Sequence, residues 1–472
     1  RPMVLVLTVV VLQSISFANY ALTTKTTNII YGSAPYLTFD GGRTRVTNTE
    51  ALLGISLSDG RTFTPTTNNS SSTNPIVLPV AGQSFNDIGM LVPTDTNSIA
   101  LSSLIGTPYN YWGDDDGDGQ GVNGVTATGS LNLSIVDKNN QAVAHNEVLT
   151  MCKAPYKLTL SNGEGRLTTR YGVPNESRFT AGNATYYINP KTAPVICYAR
   201  PNLSFGSGVY AGPANIWNPE KGFLTQSATP SSYGSNFPTT GANNLYFDLE
   251  IGGSNQALSW ATVSHGGITA TMTDSTSTSV RVTLTGPALI YANSWAGSRD
   301  PVRIDRPSLP QVFELVGRDS SGNAVVKYGF ELKQWFVYRG FRNNSAAGRS
   351  SAAWCSGKGY RLPKVKDLTN AVCNNGDRSG CMQYDRNNRP VRPVGATPSA
   401  RGNKYMRHIG AGFFSEWGKM SDYITDGNYF DDGYYDTCDY STPGYLFIVQ
   451  VDKGDVFNSY SHGNDAMFCV YP

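Results

Sequence analysis

The chain has 472 residues and a formal net charge of +2, with 37 Lys+Arg against 35 Asp+Glu. This balance excludes the function classes that need a strong field over the whole molecule to gather nucleic acid or anionic membranes. Charged residues make up only 15% of the chain, whereas aromatic residues reach 11%. That composition is typical of short strands joined by many turns, so we predict a mainly β fold of about three domains.

The first eighteen residues have the pattern of a secretory signal. Arg1 is followed by an apolar run over residues 4–12 and by the small-residue sequence 14–18. The apolar run is shorter than the ~20 residues that a membrane-spanning helix needs. We therefore predict a signal peptide over residues 1–18 and export of the rest of the chain. A membrane anchor and a buried strand are the alternatives.

Residues 19–240 are predicted to form a β-rich adhesion region. Three runs alternate apolar with polar side chains, as half-buried strands do. They cover residues 124–137, 156–160 and 184–188. The region is predicted to end at residues 230–240, where Ser, Pro and Gly are frequent, as in an exposed linker.

One turn in this region concentrates acidic side chains. Asp114, Asp116 and Asp118 alternate along the chain, and Gly119 follows at a place where a calcium loop turns sharply. An EF-hand would have Glu eleven residues after its first ligand, but that position is Val125. Two interpretations stay open: a structural calcium ion held by the three carboxylates, or a solvated acidic turn held by backbone contacts.

The last two regions follow the predicted linker. Residues 241–324 contain several alternating runs and are predicted to form an Ig-like β-sandwich with Trp260 in its core. Residues 325–472 are predicted to form a terminal domain, whose first strand covers residues 325–337.

Seven cysteines in an exported chain are expected to be mostly oxidised. The favoured pair is Cys355 with Cys469, which joins the two ends of the terminal domain. A loop near 100 residues closed in this way stabilises a fold by roughly 4–5 kcal/mol. Cys152 and Cys197 lie in two strand-like runs and are predicted to pair.

The three remaining cysteines leave alternatives. Cys373 with Cys381 would close a small polar loop, but Cys438 is an alternative partner for either of them. One thiol is left over in each arrangement.

Several motifs of the terminal domain are similar to those of a known family. They are Cys355, Arg361-Leu-Pro363, Tyr434-Tyr-Asp-Thr437, Phe447-Ile-Val-Gln-Val-Asp-Lys-Gly454 and Cys469-Val-Tyr-Pro472. Together they resemble the C-type-lectin-like tip of the intimin/invasin adhesins of Gram-negative bacteria. Further runs at residues 112–119, 267–271, 279–287, 327–330 and 408–418 resemble the invasin E type adhesion region.

This resemblance implies a C-type-lectin-like α+β domain over residues 325–472 and an adhesin that binds a host cell-surface protein. It implies a location outside the cell, either secreted or at the surface of a Gram-negative bacterium. Family members carry an outer-membrane β-barrel before the adhesion region, whereas here the predicted signal leads directly into adhesion-like sequence. The expectation is therefore a detached passenger, secreted or exported by a separate barrel partner.

The contact surface is expected in an acidic and aromatic stretch, residues 422–435. Tyr and Phe surrounded by Asp suit an interface hot spot. The candidate receptor-binding residues are Tyr423, Tyr429, Phe430, Asp431, Asp432 and Tyr434. The alternative is a tyrosine-rich loop that packs on its own domain. The chain lacks the Glu-Pro-Asn, Gln-Pro-Asp and Trp-Asn-Asp motifs of calcium-dependent lectins, so a protein partner is favoured over a glycan.

No catalytic residue is predicted. The four histidines are scattered, and no nucleophile elbow, phosphate loop or zinc-protease motif occurs. A glycosidase pair of Glu416 with Asp431 or Asp432 is the enzyme alternative. A non-enzymatic adhesin is the main hypothesis. The runners-up are a secreted structural or regulatory protein that acts with the bacterium's own surface, and a polysaccharide-active hydrolase.

Overall fold

The computed structural model describes residues 31–117, 124–289, 304–340, 347–374, 381–423, 433–460 and 467–472. The chain divides into two compact units, Arg1–Lys191 and Thr192–Pro472. Both consist mainly of β-strands, so the predicted fold class is confirmed. No helix in the described ranges combines the length and hydropathy that crossing a bilayer requires.

The first unit is built around two sheets. Its strands are β1 (Tyr36–Leu37), β2 (Ile55–Ser56), β3 (Thr62–Phe63), β4 (Ile76–Val77), β5 (Ser98–Ala100), β6 (Trp112–Gly113), β7 (Val125–Thr128), β8 (Ser130–Val136), β9 (Tyr156–Asn162), β10 (Gly165–Thr169), β11 (Glu176–Phe179) and β12 (Gly182–Asn189). Its short helices are α1 (Thr49–Leu52) and α2 (Leu101–Leu104). The larger sheet has the order β4-β12-β9-β8-β5, and the smaller has the order β11-β10-β7.

The alternating pattern of the sequence explains why these sheets have one buried face. Successive side chains of a strand point to opposite faces, so every second residue of β9 is buried. Leu158 and Leu160 of the larger sheet share one core with Leu167 and Phe179 of the smaller sheet.

The run 124–137 was predicted as one strand but forms two, β7 and β8, in different sheets. Gly129 between them has φ +101°, and a Cβ at this position would lie 2.8 Å from the Cα atom of Gly165. The backbone can therefore change sheets there only because the residue is glycine.

The second unit contains the remaining elements. Its strands are β13 (Val195–Arg200), β14 (Trp217–Asn218), β15 (Gly222–Leu224), β16 (Thr240–Ala242), β17 (Leu245–Gly252), β18 (Ser259–Trp260), β19 (Val263–His265), β20 (Ile268–Thr273), β21 (Ser279–Thr285), β22 (Gln311–Arg318), β23 (Ala324–Leu332), β24 (Gln334–Gly340), β25 (Gln383–Tyr384), β26 (Pro390–Val391), β27 (Tyr434–Thr442), β28 (Tyr445–Gln450), β29 (Val456–Tyr460) and β30 (Met467–Tyr471). Its helices are α3 (Ala347–Gly357), α4 (Val365–Leu368) and α5 (Phe413–Trp417).

The Ig-like sandwich of this unit is longer than the predicted range 241–324. Its sheets have the orders β14-β15-β13-β17-β21-β20-β19 and β18-β22-β23. Strand β13 pairs with β17, and β22 pairs with β23 as far as Leu332. The sandwich therefore begins near residue 195 and ends near 332, because cross-strand pairing and not local composition sets its limits. Trp260 is only partly buried at the edge of its core.

Residues 230–240 were predicted as a domain boundary, but Tyr233 and residues 236–240 are buried inside this unit. Asn236 is completely buried, and its Oδ1 accepts hydrogen bonds from the backbone N–H groups of Gln226 and Ser227. Its side-chain amide donates to the backbone oxygens of Ser227 and Gly329. A polar stretch indicates a linker only where its polar groups face water, and here they are bonded inside the protein.

The terminal module, residues 333–472, is closed by its own first and last strands. Strand β24 pairs with β30 in antiparallel fashion and with β16 in parallel fashion, while β27, β28 and β29 form a second sheet. The run 325–337, predicted as one strand, covers nearly all of β23 and the start of β24. The module thus begins about eight residues later than predicted.

Two disulfides lie within this module. Cys355 of α3 is joined to Cys469 of β30, and Cys373 is joined to Cys381. Cys438 is the free cysteine of the described residues. Cys152 of the first unit and Cys197 of the second are both disulfide-bonded, and their pairing with each other stays a prediction.

Candidate binding surface

Three aromatic residues, Tyr434, Tyr440 and Phe457, lie on one side of the sheet formed by β27, β28 and β29, and we call them the aromatic face. The aliphatic residues between them on that side, Leu446 and Ile448, are buried. Tyr434 and Tyr440 are 40% and 64% exposed, and the rings of Tyr434 and Phe457 meet edge to face at 5.3 Å. Ile448 lies opposite Phe457 in the register, so an aliphatic residue separates the aromatic ones. Exposed tyrosines held on paired strands offer contact area at a low entropic cost on binding.

The aromatic face contains part of the predicted contact set. Tyr434 is exposed at the start of β27. Tyr429, Phe430, Asp431 and Asp432, which precede it in the chain, lie outside the described residues.

Tyr423 corrects the predicted set, because the structure buries it. It is only 2% exposed, and its hydroxyl accepts a hydrogen bond from the backbone N–H of Asn202 at 2.7 Å. Its ring packs against Tyr246 at 5.2 Å and against Trp417 at 5.8 Å. Burial raises the pKa of this hydroxyl. A side chain enclosed in this way has no surface for a partner and stabilises the module instead.

Tyr440 and Phe457 are members of the face that the sequence analysis missed. Both lie in strands with alternating side chains, which is the available signal. Which of the two faces of a strand is exposed depends on the register with its neighbours, and a shift of one residue exchanges the faces. The pairings Tyr440–Leu446 and Phe457–Ile448 place both aromatic residues on the same side of the sheet as Tyr434.

The module carrying this face is attached to the sandwich through a buried carboxylate. Glu416 of α5 is completely buried, and five donors surround its two oxygens. Oε1 accepts from the backbone N–H and hydroxyl of Thr239 at 3.0 and 2.8 Å, and from Gly410 N–H at 2.8 Å. Oε2 accepts from the backbone N–H and hydroxyl of Thr240 at 2.9 and 2.6 Å.

The environment of Glu416 has two consequences. Burial raises the pKa of its carboxyl, and the hydrogen bonds from Thr240, Gly410 and Thr239 oppose that rise. The carboxylate also has no access to solvent, so it cannot meet a substrate. Glu416 is therefore not placed to act as one member of a glycosidase pair with Asp431 or Asp432.

A buried cation reinforces the same attachment. Arg407 is completely buried, and its Nη1 donates to the backbone oxygen of Glu416 at 2.9 Å. Its Nη2 donates to the backbone oxygens of Asn202 and Ser204, which precede the sandwich strand β14 in the chain. The guanidinium also lies 4.6 Å from the ring centre of Trp217. Carbonyl oxygens and a ring face are suitable neighbours for a desolvated guanidinium.

Aromatic rings fill the space around these polar contacts. Trp417 lies 4.9 Å from Phe237 and 6.2 Å from Phe247, and its Nε1 donates to the backbone oxygen of Thr240 at 3.0 Å. Phe247 belongs to the sandwich strand β17, whereas Trp417 belongs to the terminal module. The sandwich and the terminal module thus share one hydrophobic core and form a continuous support for the aromatic face.

The acidic turn of the first unit is held by contacts within that unit. Asp115 forms an ion pair with Arg45 and accepts from the hydroxyl of Tyr36 at 3.2 Å, and Asp116 accepts from the backbone N–H of Ser33 at 2.5 Å. The described residues include no group of three His, Cys, Asp or Glu side chains arranged to hold a metal. Asp118 lies outside the described residues, so calcium binding by Asp114, Asp116 and Asp118 stays a prediction.

The chain was compared with known proteins by sequence and by structure. No family model and no curated protein sequence matches it. A C-terminal 282-residue fragment of intimin, in complex with the intimin-binding domain of the translocated intimin receptor, aligns with 12% identity and a TM-score of 0.30. That alignment covers 74% of this chain and 93% of the fragment. An intimin mutant from EHEC O157:H7 aligns with 10% identity and a TM-score of 0.26, over 50% of this chain and 89% of that one.

A third structure, a complex of intimin with Tir90, aligns with 9% identity and a TM-score of 0.28, over 50% of this chain and 89% of that one. All three are weak similarities of fold. The assignment of this chain as a mainly β protein with an Ig-like sandwich therefore rests on its own strand pairing.

Proposed function

We propose that this protein is an exported bacterial adhesin, whose terminal module binds a protein on the surface of a host cell. The observation that carries the proposal is the aromatic face, where Tyr434 and Tyr440 are exposed on paired strands. Aromatic residues are enriched at the centres of protein–protein interfaces, and they dominate the binding energy there.

The attachment of the module supports the same function. An adhesive surface that must hold a partner under load benefits from a rigid support, because little conformational freedom is then lost on binding. The bonds of Glu416 and Arg407 and the ring contacts of Trp417 provide that support. The expected location is outside the cell, secreted or at the surface of a Gram-negative bacterium, after removal of the predicted signal over residues 1–18.

Binding of the labelled full-length protein to cultured epithelial cells tests the proposal. The variant Y434A/Y440A removes two rings of the aromatic face, and the matched control Y31A/Y171A removes two rings that are 80% and 53% exposed on the first unit. Loss of a hot spot worth about 2 kcal/mol weakens binding roughly 30-fold. We expect that loss for Y434A/Y440A and unchanged binding for the control.

Two results would contradict the proposal. One is equal binding by Y434A/Y440A and the wild type, which would remove the aromatic face from the interface. The other is binding to the parent bacterium and not to epithelial cells, which would favour a structural role at the bacterium's own surface. Pretreatment of the cells with a protease should abolish binding if the receptor is a protein.

A further inference from the structure

A short basic hairpin of the terminal module packs against β27, one of the strands that carry the aromatic face. Strands β25 and β26 pair through Gln383–Val391 and Tyr384–Pro390, and the turn between them spans residues 385–389. Residues 381–407 contain five arginines and one lysine against one aspartate, in a chain whose total charge is only +2. This stretch therefore has a local excess of positive charge, although one of its arginines, Arg407, is buried.

The arginines of the hairpin are available to solvent. Arg386, Arg389, Arg392 and Arg401 are all exposed. Within the described residues, Arg386, Arg389 and Arg401 form no ion pair with an acidic side chain. The one acidic residue of the hairpin, Asp385, uses its Oδ1 to accept the backbone N–H groups of Asn387 and Arg389, each at 2.8 Å. It shapes the turn by bonding to the backbone at these positions.

The structure places the backbone of Arg401 near the base of the hairpin, although it is ten residues beyond the end of β26. The backbone oxygen of Arg401 accepts a hydrogen bond from the side chain of Asn374 at 3.4 Å. Asn374 follows Cys373, which is bonded to Cys381 at the start of the hairpin. The disulfide thus brings one arginine to the base of the hairpin, while Arg386 and Arg389 lie in its turn. Arg386, Arg389 and Arg401 are thus exposed cations of the hairpin and of the segment bonded near its base.

The chemistry of this hairpin indicates a sulfated polyanion. Guanidinium groups match the geometry of sulfate and phosphate oxygens through paired N–H donors. Several exposed cations spaced along a hairpin are satisfied together by a flexible chain with many charges, which needs no complementary shape. A cluster of exposed arginines in a chain with little net charge is the pattern of a heparin-type binding site.

We infer that the basic hairpin and Arg401 form a docking site for a sulfated glycosaminoglycan of the host cell surface. This site shares no side chain with the aromatic face, and it does not depend on the proposed protein receptor. It captures the protein by charge, and the aromatic face then binds at a raised local concentration of the receptor.

The probe for this site is heparin, measured with the full-length protein over a range of NaCl concentrations. The variant R386A/R389A removes two cations from the turn and keeps the backbone bonds to Asp385. The control R166A/R178A removes two exposed cations from the first unit, whose side chains are 60% and 81% exposed and both pair with Glu176. Each ionic contact to a polyanion contributes about 0.7–0.9 to the slope of log Kd against log salt.

We expect R386A/R389A to weaken heparin binding at least fivefold at 150 mM NaCl and to reduce the salt slope by about 1.5, with no change in the control. Circular dichroism checks that the variant is folded. Heparin binding that R386A/R389A does not weaken, or that the control weakens equally, overturns the inference. Binding to purified lipopolysaccharide but not to heparin assigns the patch to the bacterium's own phosphates. If R386A/R389A weakens cell binding but treatment of the cells with heparin lyase does not, the partner of the patch is an acidic protein. Either this result or the preference for lipopolysaccharide overturns the glycosaminoglycan assignment.

Discussion

The buried carboxylate of Glu416 offers the sharpest test of how the terminal module is held. In the variant E416Q, one oxygen becomes an NH2 group that faces donors. If the NH2 group takes the place of Oε2, the backbone N–H of Thr240 loses its acceptor. If it takes the place of Oε1, the backbone N–H of Gly410 loses its acceptor. The threonine hydroxyls can rotate to accept a hydrogen bond, whereas the backbone N–H groups cannot.

The magnitude follows from this difference. One buried N–H left without an acceptor costs about 1–3 kcal/mol, so we expect E416Q to lower the free energy of unfolding by about 2 kcal/mol. The variant E416A leaves the N–H groups of Thr239, Thr240 and Gly410 without this acceptor and should cost at least about 3 kcal/mol. The control E331Q changes a partly exposed carboxylate 3.9 Å from Lys333 and should stay within about 0.5 kcal/mol of the wild type.

The pH dependence gives a second, independent readout. Burial raises the pKa of Glu416 in the folded protein, so the folded chain keeps this proton over a pH interval in which the unfolded chain has lost it. The contribution of this group to stability is therefore complete below its unfolded pKa and is lost as the pH rises through the folded value. E416Q cannot titrate at this position, so its disadvantage relative to the wild type should shrink as the pH rises through that interval.

Urea unfolding followed by tryptophan fluorescence measures both effects, because Trp417 lies next to Glu416 and in contact with Phe237. Two results would refute the reasoning. An E416Q protein within about 0.5 kcal/mol of the wild type at neutral pH would show that the hydrogen bonds of this carboxylate contribute little. A disadvantage that grows as the pH rises would show that the pKa shift has the opposite sign.

Three further predictions concern other parts of the chain. Replacement of Cys355 and Cys469 by Ala should lower the free energy of unfolding by about 4 kcal/mol, since the bond closes a loop of 114 residues; a melting temperature unchanged by the substitution or by reductant would contradict this. The variant D367N should cost about 2 kcal/mol at neutral pH, because burial opposes ionisation of Asp367 but its bonds from Arg361, Gln334 and Lys364 hold its pKa below the ordinary value. The stability that Asp367 contributes is present above its unfolded pKa and is lost as the pH falls through the lower folded pKa. The free energy of unfolding of D367N should therefore decrease less than that of the wild type as the pH is lowered. An equal decrease in both proteins would argue against this. Chelation of calcium with EGTA should leave the melting temperature unchanged, because Asp115 and Asp116 already have partners in Arg45 and Ser33; a rise with added calcium that D114N/D118N abolishes would establish the metal site instead.

The strands of this protein could be predicted where one face is buried, because alternation is then imposed along the chain. The runs 156–160 and 184–188 lie within β9 and β12 for this reason. The domain limits could not be predicted in the same way. Strand β13 belongs to the sandwich only because it pairs with β17, and no local pattern distinguishes a strand that pairs within its own region from one that pairs outside it.

The candidate surface shows the same division between local and distant causes. Tyr423 and Tyr434 stand in one acidic and aromatic stretch, and their local sequences favour the same exposure. Tyr423 is buried because its hydroxyl meets the backbone of Asn202, which is 221 residues away. Tyr434 is exposed because it lies on β27, which follows that stretch and pairs with β28. Composition therefore predicts the same exposure for both residues, but burial in this region is decided by partners that sequence spacing does not specify.

The two proposed surfaces of the terminal module depend on different physical interactions, and this makes them separable. The aromatic face offers apolar and polarizable area with little charge, so contacts through Tyr434 and Tyr440 should change little with ionic strength. The hairpin offers Arg386, Arg389 and Arg401 with little buried area, so its contacts should weaken steeply as salt screens them. Because the two sets of residues share no side chain, their contributions to cell binding should add in free energy once both partners are engaged. Two such surfaces on one rigid support would produce a receptor contact that persists at high salt and a capture step that is lost at high salt.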